Sequence, residues 1–112
     1  MDNKISLDDF KKIDMRVGKI IKVKKIPNRD KLYKLWVDIG EEKPRQIITG
    51  LVPYYSKEEL EGKIIIVLTN LKPAKFAGEL SEGMILAVET QDSSKCVLLT
   101  VDKEIGVGTR IS

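Results

Sequence analysis

The unbroken run Ile64-Ile65-Ile66-Val67-Leu68 does most to narrow what this chain can become. Side chains branched at Cβ lose rotamer freedom in a helix and suit a pleated strand. A run that does not alternate with polar residues needs apolar cover on both faces, so this strand must lie inside a layered or closed sheet. The rest of the chain therefore has to supply strands that wrap it.

Those strands can be read on either side of the run. From Arg16 the pattern is extended, with Val17, Ile21 and Val23 at period two and Lys22, Lys24 and Ile20 on the other face. Ile26-Pro27-Asn28-Arg29-Asp30 carries turn chemistry. In the next strand Tyr33, Leu35, Val37 and Ile39 alternate with Lys34, Trp36 and Asp38. Arg45 to Thr49 forms a third strand ending at Gly50, and the apolar run, from Lys63 to Thr69, is the fourth. Asn70 to Gly83 reads as a loop, Met84 to Glu89 as a fifth strand, and Cys96 to Val101 as a sixth beyond the polar turn at Gln91-Asp92-Ser93-Ser94-Lys95. The tail 106–111 can add a short edge strand. Two short helices open on capping boxes, Ser6 with Asp9 and Ser56 with Glu59. The first, over residues 6–13, is expected to cover one end of the core with Leu7 and Phe10. Short strands at close spacing, with a helix between the third and fourth, predict an all-β, five-stranded OB-fold barrel with a C-terminal β extension. A six-stranded SH3-like barrel is the alternative that periodicity leaves open.

At 112 residues the chain suits one domain, with the barrel at about 14–89, the helix at 6–13 and the extension at 90–112. No apolar stretch approaches the roughly 20 residues of a spanning helix. The polar start Met1-Asp2-Asn3-Lys4 carries no leader pattern, so a cytoplasmic location without membrane attachment is expected. Cys96 is the only cysteine and there is no histidine, so no internal disulfide and no Cys/His or Ser/His nucleophile pair can be built, and neither metal nor cofactor is expected. Cys96 itself sits in an apolar strand pattern and reads as a packed small hydrophobe.

Net charge is only +3, but its distribution is uneven. Residues 1–35 hold eleven Lys or Arg against five Asp, and residues 36–112 hold nine against twelve acids. A basic half suits a polyanion, and a solvated lysine surface gives the same count. The segment Asn70-Leu71-Lys72-Pro73-Ala74-Lys75-Phe76-Ala77-Gly78, followed by Ser81-Glu82-Gly83-Met84, places an amide, two lysines, a hydroxyl and two glycines after the buried strand. Lys72 and Lys75 can pair with phosphates, and Asn70 and Ser81 can address base edges or a 2′-hydroxyl. Gly78 and Gly83 permit close approach or positive φ. An ordinary polar loop would use the same residues for turns.

A resemblance narrows these alternatives. The motifs Ile13-Asp14-Met15-Arg16-Val17-Gly18-Lys19-Ile20, Pro27-Asn28-Arg29-Asp30-Lys31-Leu32, Arg45-Gln46-Ile47-Ile48-Thr49-Gly50-Leu51, Asn70-Leu71-Lys72-Pro73 and Ser81-Glu82-Gly83-Met84-Ile85-Leu86 stand in the order found in the tRNA-binding domain family. That family includes the C-terminal domain or beta subunit of methionyl-tRNA synthetases, and Tyr54 to Leu60 and Thr100 to Glu104 resemble that branch. The resemblance implies a non-catalytic module that recognises tRNA by shape and backbone and assists the synthetase. Its partners would be tRNA, a second copy in a homodimer, and the catalytic synthetase chain. The expected tRNA-binding residues are Asn70, Lys72, Lys75, Ser81, Met84, Lys31, Lys34, Arg45 and Thr49.

Departures from the family pattern include Arg29 in place of an alanine, Thr49 in place of a serine, and Trp36 on an outward face. Trp36 can stack a base, cover a subunit contact or shield the barrel. Two other functions compete: a dimeric folding or export chaperone of the same family, and an enzyme using carboxylates such as Asp38 and Glu82.

Overall fold

The computed structural model describes residues 3–112. After a short helix α1 (Leu7–Lys11), strands β1 (Met15–Lys25), β2 (Tyr33–Asp38) and β3 (Arg45–Thr49) form an antiparallel meander. Helix α2 (Lys57–Leu60) leads to β4 (Ile64–Leu68), which returns to pair with the first half of β1. Then come β5 (Ala74–Phe76), β6 (Glu79–Ser81), β7 (Met84–Ile85), β8 (Ala87–Glu89) and β9 (Cys96–Leu98). The main sheet runs β3-β2-β1-β4-β7, with β5-β6 and β8-β9 as separate hairpins.

The sheet curls until its two edges nearly meet. Across the closing seam the Glu82 amide donates to the Gln46 carbonyl at 2.8 Å, and the Ile48 amide donates to Ser81 Oγ at 3.0 Å. Closure removes the exposed edges that an open sheet would present. Five strands in this order, with α2 between the third and fourth, make the OB-fold and set the SH3-like alternative aside. Ile20, Leu35, Ile47, Leu60, Ile65 and Val67 fill the interior with 1% exposure or less. The apolar run of β4 has its expected cover on both faces, because Ile65, Ile66 and Val67 are all buried.

Several expectations are corrected. Strand β1 does not keep one period, because its pairing slips between Ile20 and Lys22, so that Ile20 faces Val37 and Lys22 faces Trp36. The bulge puts Ile20 in the core and Ile21 outside at 47% exposure, the reverse of the period-two reading. The segment 70–83 is no open loop but carries the β5-β6 hairpin, which turns through Ala77 at φ 54° and Gly78 at φ 79°. The expected fifth strand divides at Leu86, whose amide reaches the Ile66 carbonyl in the barrel while its carbonyl accepts from Leu99 in the extension. Helix α1 has both halves of its capping box but buries no residue, and Leu7 stays 67% exposed, so it does not cap the core. Instead Leu7, Phe10, Ile13 and Ile111 line a groove of about 390 Å³ between α1 and the tail. The tail joins β1 through a bridge between Arg16 and Arg110.

Candidate nucleic-acid interface

Three neighbouring pieces of backbone build one face. The outer side of β1, β2 and β3 presents Lys22, Lys24, Lys34, Trp36 and Gln46, because the inner side is taken by Val23, Leu35, Val37 and Ile47. The β5-β6 hairpin borders that face: Lys34 Nζ meets Glu79 at 2.9 Å, and Gln46 Nε2 donates to the Leu80 carbonyl at 2.8 Å. The turn between β1 and β2 adds exposed Arg29 and Lys31. In an OB-fold, oligonucleotides lie on the face of the second and third strands and against the loops that flank it.

The residues singled out in the sequence divide into two groups. Lys31, Lys72 and Lys75 are exposed, free to follow a phosphate backbone. Thr49 and Met84 line a mainly apolar groove of about 280 Å³ with Leu71, Lys72, Phe76 and Ile85. Lys34 is half-buried and held by Glu79.

The second group engages its polar atoms with other parts of the protein itself. Ser81 is 4% exposed, and its hydroxyl accepts from Ile48 and donates to the Gly83 carbonyl at 3.1 Å. Asn70 accepts from the Asp14 amide at 2.9 Å and donates to the Lys12 carbonyl at 2.6 Å, tying the end of β4 to the exit of α1. Arg45 is gripped by Glu41, with both nitrogen-to-oxygen distances at 2.9 Å, and donates through Nη1 to the carbonyls of Thr69 and Glu82. Those carbonyls stand at the two ends of the segment bearing Lys72 and Lys75. Arg45 is thus a clasp at the base of the hairpin, Ser81 is a buried support, and Asn70 braces the end of β4 while remaining exposed.

A second charged network joins the chain ends. The Arg16 guanidinium grips Asp14 at 2.8 and 3.0 Å and reaches the Gly108 carbonyl at 3.1 Å. Arg16, then the Thr69 hydroxyl at 2.7 Å, hold the Asp14 carboxyl well below the usual range. The Arg45 guanidinium likewise holds Glu41 down. Cys96 is half-buried against the core, and burial pushes its thiol up, away from the reactive thiolate.

Sequence reading missed the placing of Lys22 over Trp36, which depends on strand register. It also passed over Leu71 and Phe76, 45% and 47% exposed. Their signal was available: large apolar side chains within a lysine- and glycine-rich turn.

Residues 15–110 match the family described as "Putative tRNA binding domain". The chain belongs to the tRNA-binding domain family. Within the reach of this family lies the methionine–tRNA ligase of Archaeoglobus fulgidus, 52% identical over 107 residues, which are 96% of this chain and 16% of the ligase. The chain therefore spans only a small part of that relative's length. Among solved structures, a "MetRS related protein" from Pyrococcus horikoshii superposes with a TM-score of 0.91 at 42% identity, covering 99% of this chain and 100% of that one. The chaperone CsaA of Bacillus anthracis shares the fold at a TM-score of 0.85 and 28% identity, covering 97% of this chain and 99% of its own.

Proposed function

We propose that this domain binds tRNA without chemistry of its own and serves a methionyl-tRNA synthetase, as a subunit or as a domain, in the cytoplasm. The observation that carries the reading is the gathering of Lys22, Lys24, Lys34, Lys72 and Lys75 around the outer barrel face and hairpin of a tRNA-binding domain. Lys31, Lys72 and Lys75 meet phosphates, Met84 and Thr49 line the contact groove, and Arg45, Asn70 and Ser81 hold the hairpin in place. No sequence is read through a nucleotide triplet. A rigid barrel with charges at fixed spacing recognises the folded shape of the RNA.

Gel-shift titration of unfractionated tRNA at several salt concentrations tests this. Neutralised phosphates release counterions, so the logarithm of the association constant should fall linearly with the logarithm of salt. Affinity independent of salt, or equal affinity for an unstructured RNA of the same length, rejects shape recognition.

A chaperone reading is favoured by one feature, the exposed apolar groove of Leu71, Phe76 and Met84. Suppression of aggregation of an unfolded protein, with no shift of tRNA, would put that reading first.

A further inference from the structure

We infer that Trp36 and the lysines around it form a subsite for one unpaired nucleobase and its flanking phosphates. The inference rests on the tRNA-binding reading and adds to it a point of direct base contact. Trp36 lies on the outer face of β2, half-buried, opposite Lys22 on β1 and Gln46 on β3. Lys22 Nζ stands 4.9 Å and Lys34 Nζ 5.3 Å from the indole centroid. Two residue pairs along, and so on the same face, Lys24 faces Lys34 directly. Like charges at directly opposed positions destabilise a sheet. Glu79 answers Lys34, but among the described residues neither Lys22 nor Lys24 has an ion-pair partner.

The barrel does not need this ring. Leu35 and Val37, on either side of Trp36, already fill the interior at 0% exposure. What remains is an electron-rich aromatic face with the unpaired Lys22 and the Glu79-paired Lys34 over it and the unpaired Lys24 beside Lys34, a surface complementary to a flat base carrying phosphates. Stacking on an aromatic side chain tolerates any base, and a paired base inside a duplex cannot offer its face. In the free protein Lys22 covers the ring through a cation–π contact. On binding, the base takes the indole face and Lys22 moves to a phosphate, so one contact is exchanged for a stack and an ion pair. The Lys34–Glu79 pair and the Gln46–Leu80 bond hold the border with the hairpin, which makes the platform continuous with the Lys72 and Lys75 surface.

Trp36 is the only tryptophan, so its emission reports on this spot alone. Unfractionated tRNA is titrated into the protein, with emission and acrylamide quenching read beside a gel shift on the same samples. The expected result is a change in emission and a loss of acrylamide access that track the shifted fraction. W36L should weaken binding about ten-fold or more, and W36F should recover most of it. K22A should lower the slope of log affinity against log salt by about one unit. A normal shift with unchanged emission and acrylamide access, together with undiminished affinity in W36L, overturns the platform while leaving tRNA binding intact. Absence of any shift overturns both. Should W36L fail to fold, the emission of the unaltered chain and the affinity of K22A decide instead.

Discussion

Lys72 and Arg45 are both cations in the region of the hairpin, yet their surroundings give them different work. Lys72 is exposed, whereas Arg45 is saturated by Glu41 and two carbonyls. Changing Lys72 or Lys75 to alanine should weaken binding of all tRNAs alike and lower the salt slope by about one unit each, with little effect on folding. Arg45→Ala should weaken binding with the slope nearly unchanged, because it loosens the hairpin without removing a phosphate partner. Lys57→Ala, in α2, removes the same charge elsewhere and serves as control. If it weakens binding as much as the hairpin changes do, attraction to tRNA is diffuse. Asn70 and Ser81 show why residue type alone does not reveal such internal partners. Their backbone partners Asp14 and Ile48 lie 56 and 33 positions away, so nothing local marks these polar atoms as already satisfied.

At the scale of elements, the strongest local signals held and the positions of irregularity did not. The capping boxes of Ser6 and Ser56 appear as read, since their partners lie three residues away. The alternation of Tyr33, Leu35, Val37 and Ile39 also holds, because β2 has one face in the barrel throughout. By contrast, the bulge at Ile21 depends on how β1 serves β2 and β4 at once, and no residue in β1 announces it. The C-terminal tail depends on Gly108, which has φ +91° and donates its amide to the Val17 carbonyl at 2.8 Å. A Cβ there would stand 2.8 Å from the Ile39 carbonyl oxygen. Gly108→Ala is therefore expected to cost about 1 to 3 kcal/mol. In a domain of this size each kcal/mol lowers the melting temperature by about 4 to 8 °C. Gly106→Ala, whose nearest neighbour is the Thr109 hydroxyl at 3.8 Å, should change little. Equal melting temperatures for the two variants would mean that the tail is not locked at Gly108.

For the whole molecule, apolar surface remains beyond what the barrel uses. Val88 and Val97 face each other across the β8-β9 hairpin at 65% and 55% exposure, and the groove between α1 and the tail adds Leu7 and Ile111. Exposed apolar pairs of this kind mark association surfaces. A symmetric dimer is expected, and light scattering measures it directly. Asp at both Val88 and Val97 should shift the equilibrium toward monomer while the barrel stays folded. A monomer at high micromolar concentration in the unaltered chain rules out an interface of standard size.

The amino-acid sequence by itself determined the number and order of the barrel strands, the two capped helices, the want of a histidine-based catalytic pair, and the family. Each of these is carried by residue type and short-range spacing, such as the Ile64 to Leu68 run or the motif Asn70-Leu71-Lys72-Pro73. Tertiary structure alone decided that Ser81 faces inward, that Arg45 clasps the hairpin, and that Trp36 lies among lysines of two strands. Those outcomes depend on register and barrel closure. Both arise from the packing of residues far apart in the chain, where a slip of one position exchanges the inner face for the outer.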